Sequence, residues 1–393
     1  MLSHKYLALT DFHVGGRWDK LDRTDDVFRV LDEQMLPIFE SGQATHFINL
    51  GDTFHTNDPT PRQIARVIAF YQKLDKLGIP SVTLEGNHDH KGRSDKGSAL
   101  EPLFEVRLQH ARFICEARRP LAKPGIPYVF QWPELEVRER AQHFVAIPHM
   151  DAAGLAEHLP GILERLNDLE SDHPVIGLCH LDLRGAAVGV ERLVMRHQPA
   201  ALPQELIDHP KIGFWLAGHI HKPQELGRVT VVGSLLQNDF GEAADTKHML
   251  LISKDGTSII PTACPQLRHL DMDFTDAAVR ENAEQVYKFL MAADYTHLGV
   301  QAGDVVKVTV RISDEDYVGR DFRMIEEQLA GHCRMVYRIS PTVIRTREYR
   351  MRQLNQQQSD EEIATQYIQA RARKDKEELT KMATESIQEV RAK

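Results

Sequence analysis

Short apolar runs alternate with longer amphipathic stretches through the first two thirds of the chain. Lys5–Thr10, His46–Leu50 and Pro80–Leu84 predict strands buried on both faces, each closing on a polar loop that contains glycine. Between them, Asp25–Glu40 and Pro61–Leu77 carry apolar residues at helical spacing, as Ile64, Val67, Ile68, Tyr71 and Leu74 illustrate. Such a β-α-β-α-β series predicts an α/β layered core. Further strands are expected at Ala111–Cys115, Tyr128–Trp132, Phe144–Ile147, Val175–Leu178, Ile212–Ala217, Val229–Val232 and Met249–Ser253, with a helix through Ala152–Leu169.

The texture changes near Cys264. Arg268–Phe274 alternates like a strand, and Ala277–Ala292 reads as a helix. Val306, Val308, Val310 and Ile312 alternate with Lys307, Thr309 and Arg311, the pattern of a half-buried strand. A helix marked by Phe322, Ile325 and Leu329 then precedes a strand at Arg334–Ser340. The expected organisation is a layered domain over 1–264 and a small α+β domain over 265–345. An Arg- and Gln-rich linker over 346–358 and a helical tail over 359–393 complete it. Ser359 and Glu362 form a capping box that opens the tail. Its apolar stripes, Ile363, Tyr367 and Ala370, then Leu379, Met382, Ala383, Ile387 and Val390, have no core of their own. They must fold back or meet a partner surface.

Composition narrows the picture. With 393 residues, 42% of them hydrophobic and 27% charged, the chain is neither a disordered tail nor a fibre. A net charge of −9 excludes a protein that coats DNA generally, but not a local basic groove or a site charged by bound metal. The four cysteines lie far apart with no CxxC pair, which argues against a zinc site or disulfide framework and for a reducing compartment. No run approaches a membrane span, and Asp11 and His13 interrupt the start before a secretory h-region could form. The expected location is cytoplasmic, with no membrane partner.

Histidine is the unusual residue: there are 20, more than the 15 Phe. Asp11-Phe12-His13, Gly51-Asp52, Gly86-Asn87-His88-Asp89, His180 and Gly218-His219-Ile220-His221 each sit just past a predicted strand. In an α/β sheet those ends face one edge, where ligand sites gather. Residues two apart in extended chain point the same way, so Asp11 with His13, and His219 with His221, can face one ion together. Taken singly, each cluster is more simply a turn or a hydrogen-bonded core histidine. Their combination, two carboxylates, one amide and four imidazoles, suits two ions sharing one carboxylate, the arrangement used on phosphate esters. Mixed N/O donors favour Mn, Fe or Zn, with Mg also admissible.

The pattern DxH, GD, GNH[DE], H, GHxH, complete here across about 5–235, resembles the calcineurin-like metallophosphoesterases. The resemblance implies a metallophosphoesterase sandwich with Asp11, His13, Asp52 and His221 on one ion and Asp52, Asn87, His180 and His219 on the other. It makes His88 the general acid, with Asp89 orienting its ring. GDTFHTN and GNHD differ from the GDxxDRG and GNHE of protein serine/threonine phosphatases. GHIHKPQEL followed by VVGSLLQNDFGE is similar to the SbcD-type recombination nucleases, which would place His55 near the active site. That likeness implies a DNA nuclease acting with two Mn2+ in break repair or recombination. Its activities would be 3′-to-5′ exonuclease on duplex ends and endonuclease on single strands. The small domain would cap DNA, the tail would attach to an SbcC-type coiled-coil ATPase, and Pro61–Leu77 would support a homodimer. Two other readings stand beside it, a small-molecule phosphodiesterase or phosphatase and a DNA-end-binding scaffold. The Lys- and Arg-rich stretch 91–123 is as well explained by a solvated surface as by a DNA path. His149 and Arg184 are expected in supporting or surface roles, and Trp18, Trp132 and Trp215 as anchors.

Overall fold

The computed structural model describes residues 4–18, 20–90, 97–116, 128–132, 142–171, 173–187, 200–344, 368 and 376–391. The linker 346–358, the Ser359–Glu362 cap and the first tail stripe lie outside them. So does much of the basic stretch, Lys91, Arg93, Lys96, Arg118, Arg119 and Lys123 included. Two compact units divide the chain. The first holds Met1–His269 with Gln301–Lys307 and Cys333–Tyr337; the second holds Leu270–Val300, Val308–His332 and Arg338–Lys393.

Two six-stranded sheets build the first unit. One runs Gly256–Pro261, His248–Ser253, Tyr6–Leu9, His46–Asn49, Ser81–Leu84, Ala111–Ile114, parallel from Tyr6–Leu9 onward and antiparallel before it. The other runs Gln224–Leu226, Val229–Val231, Ile212–Ala217, Val175–Cys179, Gln142–Ile147, Val129–Trp132, with its inner strands parallel and both outer pairs antiparallel. Alternation along Tyr6–Leu9 explains its unbroken apolar run. Tyr6 and Ala8 join the core shared with Phe144, Ile147 and Leu178 of the other sheet. Leu7 and Leu9 pack the opposite face, against the helical segments. Trp215 is fully buried in the shared core, and a Cβ on Gly177 would sit 2.2 Å from its ring. Only glycine lets the two strands keep that contact.

Helix Pro61–Lys76 begins with a capping box, Thr60 with Gln63, and has Pro61 at its first position, where no N–H is required. Its stripe of Val67, Phe70, Tyr71 and Leu74 is buried within the chain's own core. The segment expected as one helix over 25–40 contains a π turn at Leu31–Met35, between Thr24–Val30 and Leu36–Glu40. Pro37, just beyond, has no N–H for the carbonyl four residues back, so the regular ladder fails there.

The second unit takes in most of a three-stranded sheet ordered Leu267–Asp273, Val305–Ser313, Met335–Ile344, and the helices Arg280–Met291 and Phe322–His332. Val308, Val310 and Ile312 alternate as buried positions along their strand, and Phe274, Leu290, Ile325 and Leu329 are buried as well. Helix Lys376–Arg391 leaves Leu379 and Met382 exposed, at 42% and 58%.

Candidate metal centre

Every cluster singled out above follows the C-terminal end of a parallel strand: Tyr6–Leu9, His46–Asn49 and Ser81–Leu84 in one sheet, Val175–Cys179 and Ile212–Ala217 in the other. At three of these exits the backbone enters the left-handed region. Asp11, His13, Asp52 and His219 have φ of 52°, 48°, 51° and 76°, and Ala293 is the one other non-glycine with positive φ among the described residues. Such conformations cost about 1–3 kcal/mol each and persist where the surroundings enforce them. Here the main chain does so: Asp11 N donates to Gly51 O (3.0 Å), His13 N to Asp52 O (3.0 Å) and Val14 N to Thr53 O (3.0 Å). The residues between the polar ones act as anchors. Phe12 is buried and stacks on Phe47, with centroids 6.5 Å apart, and Ile220 is buried in the shared core.

The donors fall into two overlapping groups, since Asp11 also lies with Asp52 and His180, and His13 with His55 and His88. Asp11, His13 and His221 form the first. His13 Nε2 and His221 Nε2 are 3.0 Å apart, and Asp11 Oδ1 lies 3.9 and 3.8 Å from them. The second gathers around His180, whose Nε2 is 3.5 Å from Asp52 Oδ1 and 3.0 Å from Asn87 Oδ1; His219 Nδ1 is 2.9 Å from the same Asn87 oxygen. Asp52 reaches both, because its Oδ2 lies 3.9 Å from His13 Nε2. Asp11, His13, Asp52, His180, His219 and His221 are buried, and Asn87 is half-buried.

These contacts suit a cation. His180 Nδ1 donates to Leu50 O (2.8 Å), so Nε2, which faces two further acceptors, must carry a proton or a metal. His221 Nδ1 donates to Glu242 Oε1 (2.8 Å), so its Nε2 lone pair faces His13 and Asp11. Asp11 Oδ2 accepts from Thr10 Oγ1 (2.7 Å) and His219 N (3.1 Å), whereas its Oδ1 has no hydrogen-bond partner among the described residues. Acceptors turned toward one another away from water need protons or metal between them. The N/O donor set fits divalent transition metals.

Without an ion, charge is distributed unevenly. Burial alone would raise the Asp52 carboxyl, but His180 and His88 outweigh it and hold it well below the usual range. Burial opposes protonation of His180; Asp52 and Asp11 reverse that and lift it to about 9. Burial pushes Asp11 up. It also pushes His219 down to about 3, helped by His180, and keeps His13 neutral and ready to ligate.

His88 lies beside the cluster. Its backbone N–H donates to Asp52 Oδ1 (2.8 Å), its ring is 4.6 Å from that of His13, and it stacks on His55 at 5.5 Å. The expectation that Asp89 orients this ring is corrected. His88 Nδ1 is held by the carbonyl oxygen of His55 at 2.6 Å. The Asp89 carboxylate instead accepts from the backbone N–H groups of Thr53 (3.1 Å), Phe54 (2.9 Å) and Gly86 (3.1 Å), tying the GD loop to the GNHD loop. Burial and the charge of Asp52 push it up to about 8 against those donors. His55 touches His88 through its carbonyl and its ring. His149 N donates to Glu85 O, with the His149 ring 5.4 Å from that of His90, and Arg184 is exposed.

Two residues escape a reading of motifs. Glu242, in the FGE turn, accepts from His221, and the fully buried Lys247 bonds both Glu242 Oε2 (2.7 Å) and His221 O (2.9 Å). Only the spacing of FGE behind GHIH hints at the first. Nothing in the sequence marks the second.

A layered α/β sandwich with Asp, His and Asn side chains converging from strand ends of both sheets is the architecture of a metal-dependent phosphoesterase. Residues 4–223, more than half of the chain, match the calcineurin-like phosphoesterase family, and the chain belongs to it. It is 30% identical over 129 residues to the DNA double-strand break repair protein Mre11 of Sulfurisphaera tokodaii, a match covering 33% of this chain. The chain spans only about a third (31%) of that relative's length. Among solved structures, a phosphopantetheinyl hydrolase of Mycobacterium tuberculosis is similar at 13% identity, over 60% of this chain and 91% of that one, with a TM-score of 0.32. Purple acid phosphatase PPD1 of yellow lupin is similar at 15% identity, over 56% and 39%, with a TM-score of 0.34. Likenesses this low carry no argument about substrate. Among the described residues no helix is long and apolar enough to cross a membrane.

Proposed function

We propose that the protein is a DNA nuclease subunit using two Mn2+, with phosphodiesterase chemistry on duplex ends (3′ to 5′) and on single strands. The observation that carries the reading is Asp52: one buried carboxylate within 4 Å of nitrogen donors in both groups, with the His88 N–H on its Oδ1. Asp11, His13, Asp52 and His221 would hold one ion, and Asp52, Asn87, His180 and His219 the other. Such a pair supplies Lewis acidity toward both the attacking and the leaving oxygen of a phosphate ester. His88, with its Nδ1–H on the His55 carbonyl, would act as the doubly protonated imidazolium, giving its Nε2 proton to the leaving oxygen and keeping the Nδ1 one. The stacked His55 ring restricts how His88 can turn. Asp89 keeps the two ligand loops in register.

DNA as substrate rests on the partial likeness to a break-repair protein and on the GHIH and FGE pattern. In this reading residues 265–345 cap the DNA, and the tail docks onto a coiled-coil ATPase of SbcC type. Exposed Leu379 and Met382 are consistent with docking. A homodimer would use surfaces other than the Pro61–Lys76 stripe, which is already buried. The test is cleavage of end-labelled duplex and single-stranded oligonucleotides by the full chain with Mn2+, with and without chelator, beside a phosphomonoester. Metal-dependent DNA cleavage is expected. Strong monoester hydrolysis with intact DNA would replace this reading by a small-molecule phosphatase.

A further inference from the structure

The geometry points to Glu242 as a positioning residue for the metal centre, with the buried Lys247 holding it in place. The inference rests on the metal reading above and deepens it. Glu242 is 2% exposed and Lys247 is 2% exposed, so both charges lie away from water. A buried pair of this kind is costly to desolvate and often neutral for stability, which makes its placement worth explaining.

The side-chain contacts of the pair bear on His221 and on the segment from Ser234 to Asp245. Glu242 Oε1 accepts the His221 Nδ1–H at 2.8 Å. Glu242 Oε2 accepts from Lys247 Nζ (2.7 Å), Ser234 Oγ (3.2 Å) and Asn238 N (3.1 Å). Lys247 Nζ also donates to His221 O at 2.9 Å, with Asp245 3.6 Å away. The His221 ring is therefore fixed at one nitrogen and its backbone is fixed by the same ion pair. A donor hydrogen on Nδ1 leaves Nε2 as the lone pair, aimed at His13 and Asp11. A carboxylate behind a ligating imidazole also raises its basicity. His180 in the other donor group is held by a backbone carbonyl, so the pair should act on one ion and spare the other.

The experiment replaces both charges together, so that neither is stranded. In Glu242→Ala/Lys247→Met, calorimetric titration with Mn2+ alone should show one site weakened by about 10–100-fold and the other unchanged. Glu242→Gln/Lys247→Met, which keeps an acceptor for the imidazole, should restore most of that loss. Nitrogen–proton correlation spectra of the metal-free protein, with the His221 signal assigned from His221→Gln, should show the Nδ1–H tautomer in wild type. That bias should be lost in the alanine variant. Two wild-type Mn2+ sites in the alanine variant, equal weakening of both sites, or no rescue by glutamine would overturn the inference. Wild-type protein that takes up no Mn2+ would defeat the metal reading instead, and the His221 tautomer would still decide the part played by Glu242.

Discussion

His221 and His180 belong to the same cluster and are held by different chemistry. Behind His221 stands a carboxylate, itself paired with a buried lysine. Behind His180 stands the carbonyl of Leu50, part of the chain leaving the His46–Asn49 strand. A side chain can be exchanged and a carboxylate can take up a proton; a main-chain carbonyl does neither. The His180 side is therefore as firm as the sheet, whereas the His221 side depends on a few side chains. The two sides meet at Asp52, which makes no such distinction.

Asp52→Asn should erase the contrast and have the largest effect. Both ions should be lost or strongly weakened, and DNA cleavage should fall by at least about 10³-fold. Metal analysis finding two ions at full occupancy would rule out the shared role. His88→Ala should cost about 10²–10⁴-fold in turnover while both Mn2+ sites titrate normally. If metal binding collapses as well, His88 is a ligand and the division into two donor groups is wrong.

Gly51→Ala strikes the carbonyl-held side most directly. A Cβ there would lie 2.3 Å from His180 Nδ1, at φ 121°, so the strand exit must shift. Urea unfolding should show a loss of about 2–4 kcal/mol, and unchanged stability would mean the exit is looser than the structure has it. Acid attacks the other side. Burial would raise the Glu242 carboxyl, but His221 and Lys247 bring it down to about 2, from 4.5 unperturbed. A depressed carboxyl stabilises the fold above its unfolded pKa and loses that contribution as pH falls through the folded one. Metal-free wild type should therefore lose roughly 2–3 kcal/mol relative to Glu242→Gln/Lys247→Met between pH 4.5 and pH 2. Parallel stability curves for the two proteins would contradict this. The smallest effect should follow deletion of Ser359–Lys393. Under the proposed function, single-strand cleavage and both Mn2+ sites should persist while association with a coiled-coil ATPase is lost; a truncated protein that still binds such an ATPase would refute the docking role.

What the sequence discloses follows from burial. The central strands are apolar on both faces, so Tyr6–Leu9, Val175–Cys179 and Ile212–Ala217 stand out. Gly256–Pro261 does not, because it is an edge strand with an exposed face and a 62% exposed Ile259. The candidate ligands are legible because glycines and strand ends frame them. Asp89 misleads for a related reason. Adjacency to His88 suggests a pair, yet the turn directs its carboxylate onto three backbone N–H groups. Lys247 is invisible for the opposite reason: a lysine is read as surface unless its partners are already known.

The distance along the chain between facing donors has a consequence in time. His13 and His221 are 208 residues apart, and their nitrogens meet only when both sheets are in place. During synthesis at about 5–20 residues per second, the first histidine would wait roughly 10–40 s before the second is made. A cation therefore cannot meet the full donor set early in folding, although His13, His55 and His88 all lie in the first 90 residues. Its arrival would follow assembly of the two sheets and selectively stabilise chains that have completed it.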